Sequence, residues 1–134
     1  MQILVLDDDR DFATGLTALI AQMGHKASMA HDCATARQLA TDQLFDVILA
    51  DVELPDGDGR HTCDGLRMDG ASQAAYMVAM TGRSDLGDDD FKSFDAYIHK
   101  PVTYDLLEQL LEEWRIAAGL DRLPVAEGAQ VPQK

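Results

Sequence analysis

The chain has only two cysteines, Cys33 and Cys63, far apart and with no CxxC spacing. That excludes the usual zinc frameworks and reads as two small residues in a reducing compartment. Basic side chains are scarce too: 11 Lys and Arg stand against 24 Asp and Glu, for a net charge of −13. A chain this acidic is repelled by nucleic acid and anionic lipid unless a local basic patch intervenes. The basic residues are scattered, so direct nucleic-acid contact is not expected. No apolar run approaches the roughly 18 residues of a membrane span. The opening run Ile3–Leu6 is too short for a signal peptide and lacks a basic start or a cleavage site. A cytoplasmic location without a membrane partner is the expectation, and 134 residues suit one domain.

Short apolar runs alternate with amphipathic stretches. Ile3–Leu6 reads as a first strand, ending in Asp7-Asp8-Asp9. Phe12, Leu16, Leu19, Ile20 and Met23 recur at helical spacing, with Asp9 placed to cap that helix and Gly24 to end it. A weak strand follows at 25–30, then a helix at 33–41 behind Asp32, and a third strand at 45–50. Residues 54–59 read as a loop, 60–68 as a helix closed near Gly70, and 75–80 as a fourth strand. Residues 85–94 are ambiguous between helix and loop. A fifth strand at 96–99 precedes a helix from Val102 with Leu106, Leu107, Leu110, Leu111 and Trp114 on one stripe, ending near Gly119. Strands alternating with helices imply a parallel sheet covered on both faces, and the unbroken run Val47–Ala50 suits a central strand. In such folds the working site lies at the carboxyl ends of the strands.

The unusual residues sit at those ends: Asp7, Asp8 and Asp9 after strand one, Asp51 after strand three, Thr81-Gly82 after strand four, Lys100-Pro101 after strand five. Converging carboxylates repel one another and require an offsetting charge. Mg²⁺ takes one or two carboxylates and leaves positions for phosphate and water. A lysine and a hydroxyl beside it suit phosphoryl transfer, which is mostly positioning and charge neutralisation. A carboxylate can itself be the nucleophile.

The runs Leu4–Asp9, Val47–Gly59, Val78–Gly82 and Tyr97–Pro101, in that order, resemble the receiver domains of two-component response regulators. The resemblance covers residues 1–118 and leaves 119–134 as a flexible tail. It implies a flavodoxin-like (βα)5 doubly wound sheet of strand order 2-1-3-4-5. It also implies that Asp51 accepts the phosphoryl group. Mg²⁺, or Mn²⁺ in its place, would be held by Asp7, Asp8, Asp51 and the backbone carbonyl of Glu53. Lys100 would pair with phosphoryl oxygens, Thr81 and Tyr97 would be the moving switch residues, and Pro101 would follow a cis peptide bond. The implied donor is a histidine kinase or histidine phosphotransfer protein. The implied output is a downstream protein contact or onward transfer in a relay, and the chain is not a turnover enzyme.

Thr81 and Lys100 stand closer together than is usual in that family, so the fourth helix should be short, displaced or partly unwound. Asp56 and Asp58 read as turn formers, the Asp88–Asp90 run as solvated surface or a helix start, and Glu53 as an exposed side chain. Arg83 either reaches the site or is solvated. Two rival readings remain. One is a haloacid-dehalogenase-like phosphatase with Asp7 as nucleophile and Asp9 as acid/base. The other is a receiver-like module that binds partners without phosphorylation.

Overall fold

A computed structural model of the protein describes residues 1–83 and 85–117. It divides into two compact units, Met1–Pro101 and the segment that starts at Val102. In the first unit the order is β1 (Gln2–Leu6), α1 (Arg10–Gln22), β2 (Lys26–Ala30), α2 (Cys33–Asp42), β3 (Val47–Asp51), β4 (Glu53–Leu54), β5 (Gly57–Asp58), α3 (Gly59–Met68), β6 (Tyr76–Thr81), a 3₁₀ turn (Asp88–Phe91) and β7 (Ala96–His99).

The expected strands are all present. β1 pairs in parallel with β2 and β3, β3 with β6, and β6 with β7, giving a five-stranded sheet of order β2-β1-β3-β6-β7. With the small β4–β5 ribbon set aside, this is the expected 2-1-3-4-5 order. Alternating side chains serve both faces. Leu4, Leu6, Ile48, Ala50, Met77 and Ala79 cluster with Ala36 and Ala40 of α2 and Cys63 and Leu66 of α3. Ile3, Val5, Val47 and Leu49 are fully buried on the other side of the strands, and α1 lies against β1 and β2. Burial pushes the Cys63 thiol up to about 12, so it stays protonated, as expected of a packing residue.

Local signals account for the helix ends. The Asp9 carboxylate accepts from Phe12 N–H at 3.1 Å and caps α1, and the Asp32 carboxylate accepts from Thr35 N–H at 2.8 Å and caps α2. Gly24 leaves α1 at φ +89°, a left-handed conformation that favours glycine.

Two regions differ from expectation. Residues 54–59 are not a plain loop: Glu53–Leu54 pairs antiparallel with Gly57–Asp58 around Pro55-Asp56. Two-residue strands carry no periodicity from which they could be read. The ambiguous stretch 85–94 contains a single 3₁₀ turn, the shortened fourth helix that the small Thr81–Lys100 spacing implies. The Asp90 carboxylate accepts from Gly87 N–H at 2.9 Å and closes that turn.

The second unit holds α4 (Tyr104–Ala117). It starts two residues later than expected because Thr103 caps it, its hydroxyl accepting from Leu106 N–H at 3.2 Å. Its expected end near Gly119 and the expected tail at 119–134 lie outside the described residues. No helix among those residues is long and apolar enough to cross a membrane.

Candidate phosphoryl-transfer site

At the carboxyl edge of the sheet, β1 delivers Asp7 and Asp8, and its neighbour β3 delivers Asp51. One carboxylate oxygen from each lies within 4.8 Å of the others. β7 brings Lys100 to the same place, with Nζ 2.7 Å from Asp7 Oδ2 and 3.4 Å from Asp51 Oδ2. The ammonium also sits over the Phe12 ring, 4.6 Å from its centroid, which fixes the lysine from a third direction. The Lys100–Pro101 peptide bond is cis, as expected.

Asp7 is fully buried. Its Oδ1 accepts from Asp9 N–H at 2.9 Å. Its Oδ2 is buried without a hydrogen-bond donor among the described residues. The Lys100 ammonium, 2.7 Å away, is that oxygen's ionic partner. Three carboxylates against one ammonium leave a deficit of two positive charges, which one divalent ion matches. The donors are all oxygen, as Mg²⁺ and Mn²⁺ require. The residues present therefore fit the metal.

Burial is the main cause that raises the Asp51 pKa above the carboxylate norm, and Asp7 adds to it; Lys100 and the Glu53 N–H oppose without overcoming them. For Lys100, burial opposes the charged form, but Asp7 and Asp51 outweigh it and raise the amine's pKa.

Thr81 ends β6 and is buried. Its hydroxyl oxygen accepts from Arg83 N–H at 3.0 Å, which leaves the hydroxyl hydrogen to donate elsewhere. Tyr97 pairs in register with Ala79, back from the edge. It faces outward at 42% exposure. The Glu53 side chain is exposed, as expected. Arg83, undecided from the sequence, joins Glu53 at 2.8 Å and Asp85 at 2.7 Å along the rim of the site.

The acceptor loop contains fastenings that do not show in the sequence. Asp56 is more than a turn former: its carboxylate accepts from Cys33 N–H at 2.7 Å and Ala34 N–H at 3.1 Å, docking the ribbon on the start of α2. Asp58 caps α3 through Arg60 N–H at 2.8 Å and also holds the Arg60 guanidinium. A cap immediately before a helix was available as a signal; the Asp56 contact, distant in sequence, was not. At Gly59 a Cβ would stand 2.1 Å from the Asp51 carbonyl oxygen, so only glycine fits. Gly59→Ala is expected to cost about 1–3 kcal/mol by overpacking, measured by denaturant unfolding, and to slow loading of Asp51 because the clash falls on its own backbone.

The comparisons agree with this geometry. The response regulator receiver domain family matches residues 3–112. The transcriptional regulatory protein ZraR of Klebsiella oxytoca is 27% identical over 95% of this chain and 29% of its own length. The sensor histidine kinase AruS of Pseudomonas aeruginosa is 30% identical over 84% of this chain and 12% of its own. The chain thus spans well under half the length of these curated relatives. Among solved structures, a CheY-like receiver domain from Methylobacillus flagellatus is similar at 27% identity and TM-score 0.77, over 85% of this chain and 98% of that one. The receiver domain of a Pseudomonas aeruginosa sensor histidine kinase, solved with magnesium coordinated in its active site cleft, is similar at 25% identity and TM-score 0.77, over 84% and 95%. The family match decides against the phosphatase reading. The relatives named as transcriptional regulators leave the expectation of no nucleic-acid contact without support. From the parallel sheet, the acidic edge and these matches, the chain belongs to the response regulator receiver domain family.

Proposed function

We propose that Asp51 is the phosphoacceptor, that Asp7, Asp8, Asp51 and the Glu53 carbonyl hold Mg²⁺, and that Lys100, Thr81 and Tyr97 read the result. The observation that carries this is the cluster of three carboxylates, Asp7, Asp8 and Asp51, whose charge the single nearby ammonium of Lys100 only partly offsets. When bound, the metal supplies the positive charge that lets phosphoryl oxygens approach three carboxylates.

The chain's own residues do the rest. An Asp51 carboxylate oxygen forms a P–O bond as the P–N bond of a phosphohistidine breaks, and the freed imidazole takes up a proton. Lys100 is already 3.4 Å from Asp51 and meets the new phosphoryl oxygens. Thr81 donates its hydroxyl hydrogen to one of them. Its movement makes room for Tyr97 to turn inward, a local charge event that biases a two-state element. The donor is a histidine kinase or histidine phosphotransfer protein, which the sensor-kinase relatives support. The output is a protein contact or onward transfer to another histidine, and the setting is the cytoplasm.

Acetyl phosphate tests this by intact mass. A gain of one phosphoryl group that requires Mg²⁺ or Mn²⁺ is the expected result. An adduct that forms equally well in excess chelator would remove the metal from the scheme. If no adduct forms and beryllofluoride does not bind, the chain is a module that works without phosphorylation.

A further inference from the structure

Phe91 comes from the 3₁₀ turn that stands in place of a fourth helix. Its ring is stacked on Tyr97, with centroids 4.2 Å apart and planes 12° from parallel. Phe91 is 4% exposed, whereas Tyr97 is 42% exposed. Phe91 is thus a buried plate and Tyr97 the ring resting on its outer side. The His99 ring adds an edge contact to Tyr97 at 6.0 Å.

The plate is firmly mounted. Two arginines of α3, seven residues apart and so on one helix face, reach the segment that carries it. Arg60 pairs with Asp90 at 3.3 Å, and Asp90 also closes the turn onto Gly87. Arg67 donates to the Ser93 carbonyl at 3.1 Å and pairs with Asp95 at 2.9 Å. The Asp95 carboxylate in turn accepts from Met77 N–H of β6 at 2.8 Å. Side-chain bonds to α3 and β6 therefore flank Phe91, and α3 begins at Gly59, packed against the Asp51 backbone.

We infer that Phe91 is a positioning residue that holds Tyr97 outward until the acceptor is loaded, so that the Phe91–Tyr97 stack sets how much of the loading free energy the switch consumes. This rests on the reading of Asp51 as acceptor and Tyr97 as switch. Where a short turn replaces a helix there is less backbone to resist the switch, and an aromatic contact supplies resistance instead. An aromatic pair is worth enough to shift a two-state equilibrium by roughly two- to tenfold.

The test uses the full chain, Mg²⁺ and beryllofluoride as the phosphoryl stand-in, with the tyrosines replaced by 3-fluorotyrosine and the Tyr97 signal assigned by its loss in Tyr97→Phe. Phe91→Leu is expected to shift the unliganded Tyr97 fluorine resonance part of the way toward its beryllofluoride-bound position. It should also lower the half-saturating beryllofluoride concentration roughly two- to tenfold. Phe91→Tyr, which keeps the stacking face, should restore wild-type values. Phe91→Met replaces Leu if that variant does not fold. In a Tyr97→Ala background the Phe91 substitution should no longer alter beryllofluoride affinity. An unchanged affinity and resonance in Phe91→Leu, or an equal affinity gain in Tyr97→Ala, would overturn the inference while leaving Asp51 as acceptor. If beryllofluoride does not bind the wild type at all, the acceptor assignment itself falls, and this inference with it.

Discussion

Asp51→Asn is expected to reduce the acetyl-phosphate adduct to background while leaving a folded protein that is more stable than the wild type in the absence of metal. The first half follows from chemistry: an amide offers no carboxylate nucleophile. The second follows from electrostatics. In the metal-free protein, burial and Asp7 raise the Asp51 pKa above its ordinary 3.8. A folded carboxylate with a raised pKa binds more protons than the unfolded one across the window from 3.8 up to its folded value. Stability therefore falls as pH rises through that window, and the loss persists at neutral pH. Asn removes the ionisation and with it that slope. The amide keeps the carboxylate's shape and leaves Lys100 paired with Asp7, so no buried cation is stranded. The check is a pair of unfolding curves with and without chelator across pH 3.5–7, together with intact mass after acetyl phosphate. A stable adduct on the Asn protein would move the acceptor elsewhere. A metal-free Asn protein less stable than wild type at neutral pH would show that Lys100 needs Asp51 more than Asp51 strains the cluster.

The residues in this prediction were legible in the sequence because of how a parallel sheet advertises itself. β1, β3 and β6 are apolar runs buried on both faces, so the first polar residue after each run marks the strand end. Asp7, Asp51 and Thr81 were placed in that way, whereas Lys100, after the short and half-exposed β7, and the sheet order followed from the family that those residues resemble. The Asp9 and Asp32 caps were legible too, because each is a contact three residues long. What escaped was non-local. Asp56 reaches α2 across more than twenty residues of chain, Arg60 reaches the 3₁₀ turn across thirty, and Phe91 stacks on a tyrosine of the next strand. A single sequence carries no period for such contacts. The β4–β5 ribbon was missed for a different reason, since strands of two residues hold no alternation to count. The small Thr81–Lys100 spacing showed that the fourth helix must shrink, but not that an aromatic stack would stand there.

Lys100→Met should have the largest effect on stability of any single change at this site, because it removes the one cation paired with a fully buried carboxylate among the described residues. Asp7 is 0% exposed and Lys100 23% exposed, so bulk water screens the pair only weakly. Removing one partner of a buried ion pair costs on the order of 3–5 kcal/mol, since the other charge is left unpaired. The Lys100 side is part-exposed, which argues for the low end, about 3 kcal/mol. That is a large share of the roughly 5–15 kcal/mol a domain of this size has to lose. If this account is correct, the loss belongs to Asp7 rather than to the lysine's packing on Phe12, and two rescues follow. Adding Asp7→Asn to Lys100→Met should recover most of the loss, with a coupling of about 1–3 kcal/mol between the two sites. Mg²⁺ should stabilise Lys100→Met more than it stabilises the wild type, because the ion no longer shares the cluster with an ammonium. At a hundredfold excess over its dissociation constant a ligand adds about 2.7 kcal/mol, enough to offset nearly all of the expected loss. Chemical unfolding of the four proteins of this cycle, with and without Mg²⁺, decides the matter. Additive effects of the two substitutions would place the cost in lost packing. A Lys100→Met protein indifferent to Mg²⁺ would show that Asp7, Asp8 and Asp51, close as they are, do not hold a cation together.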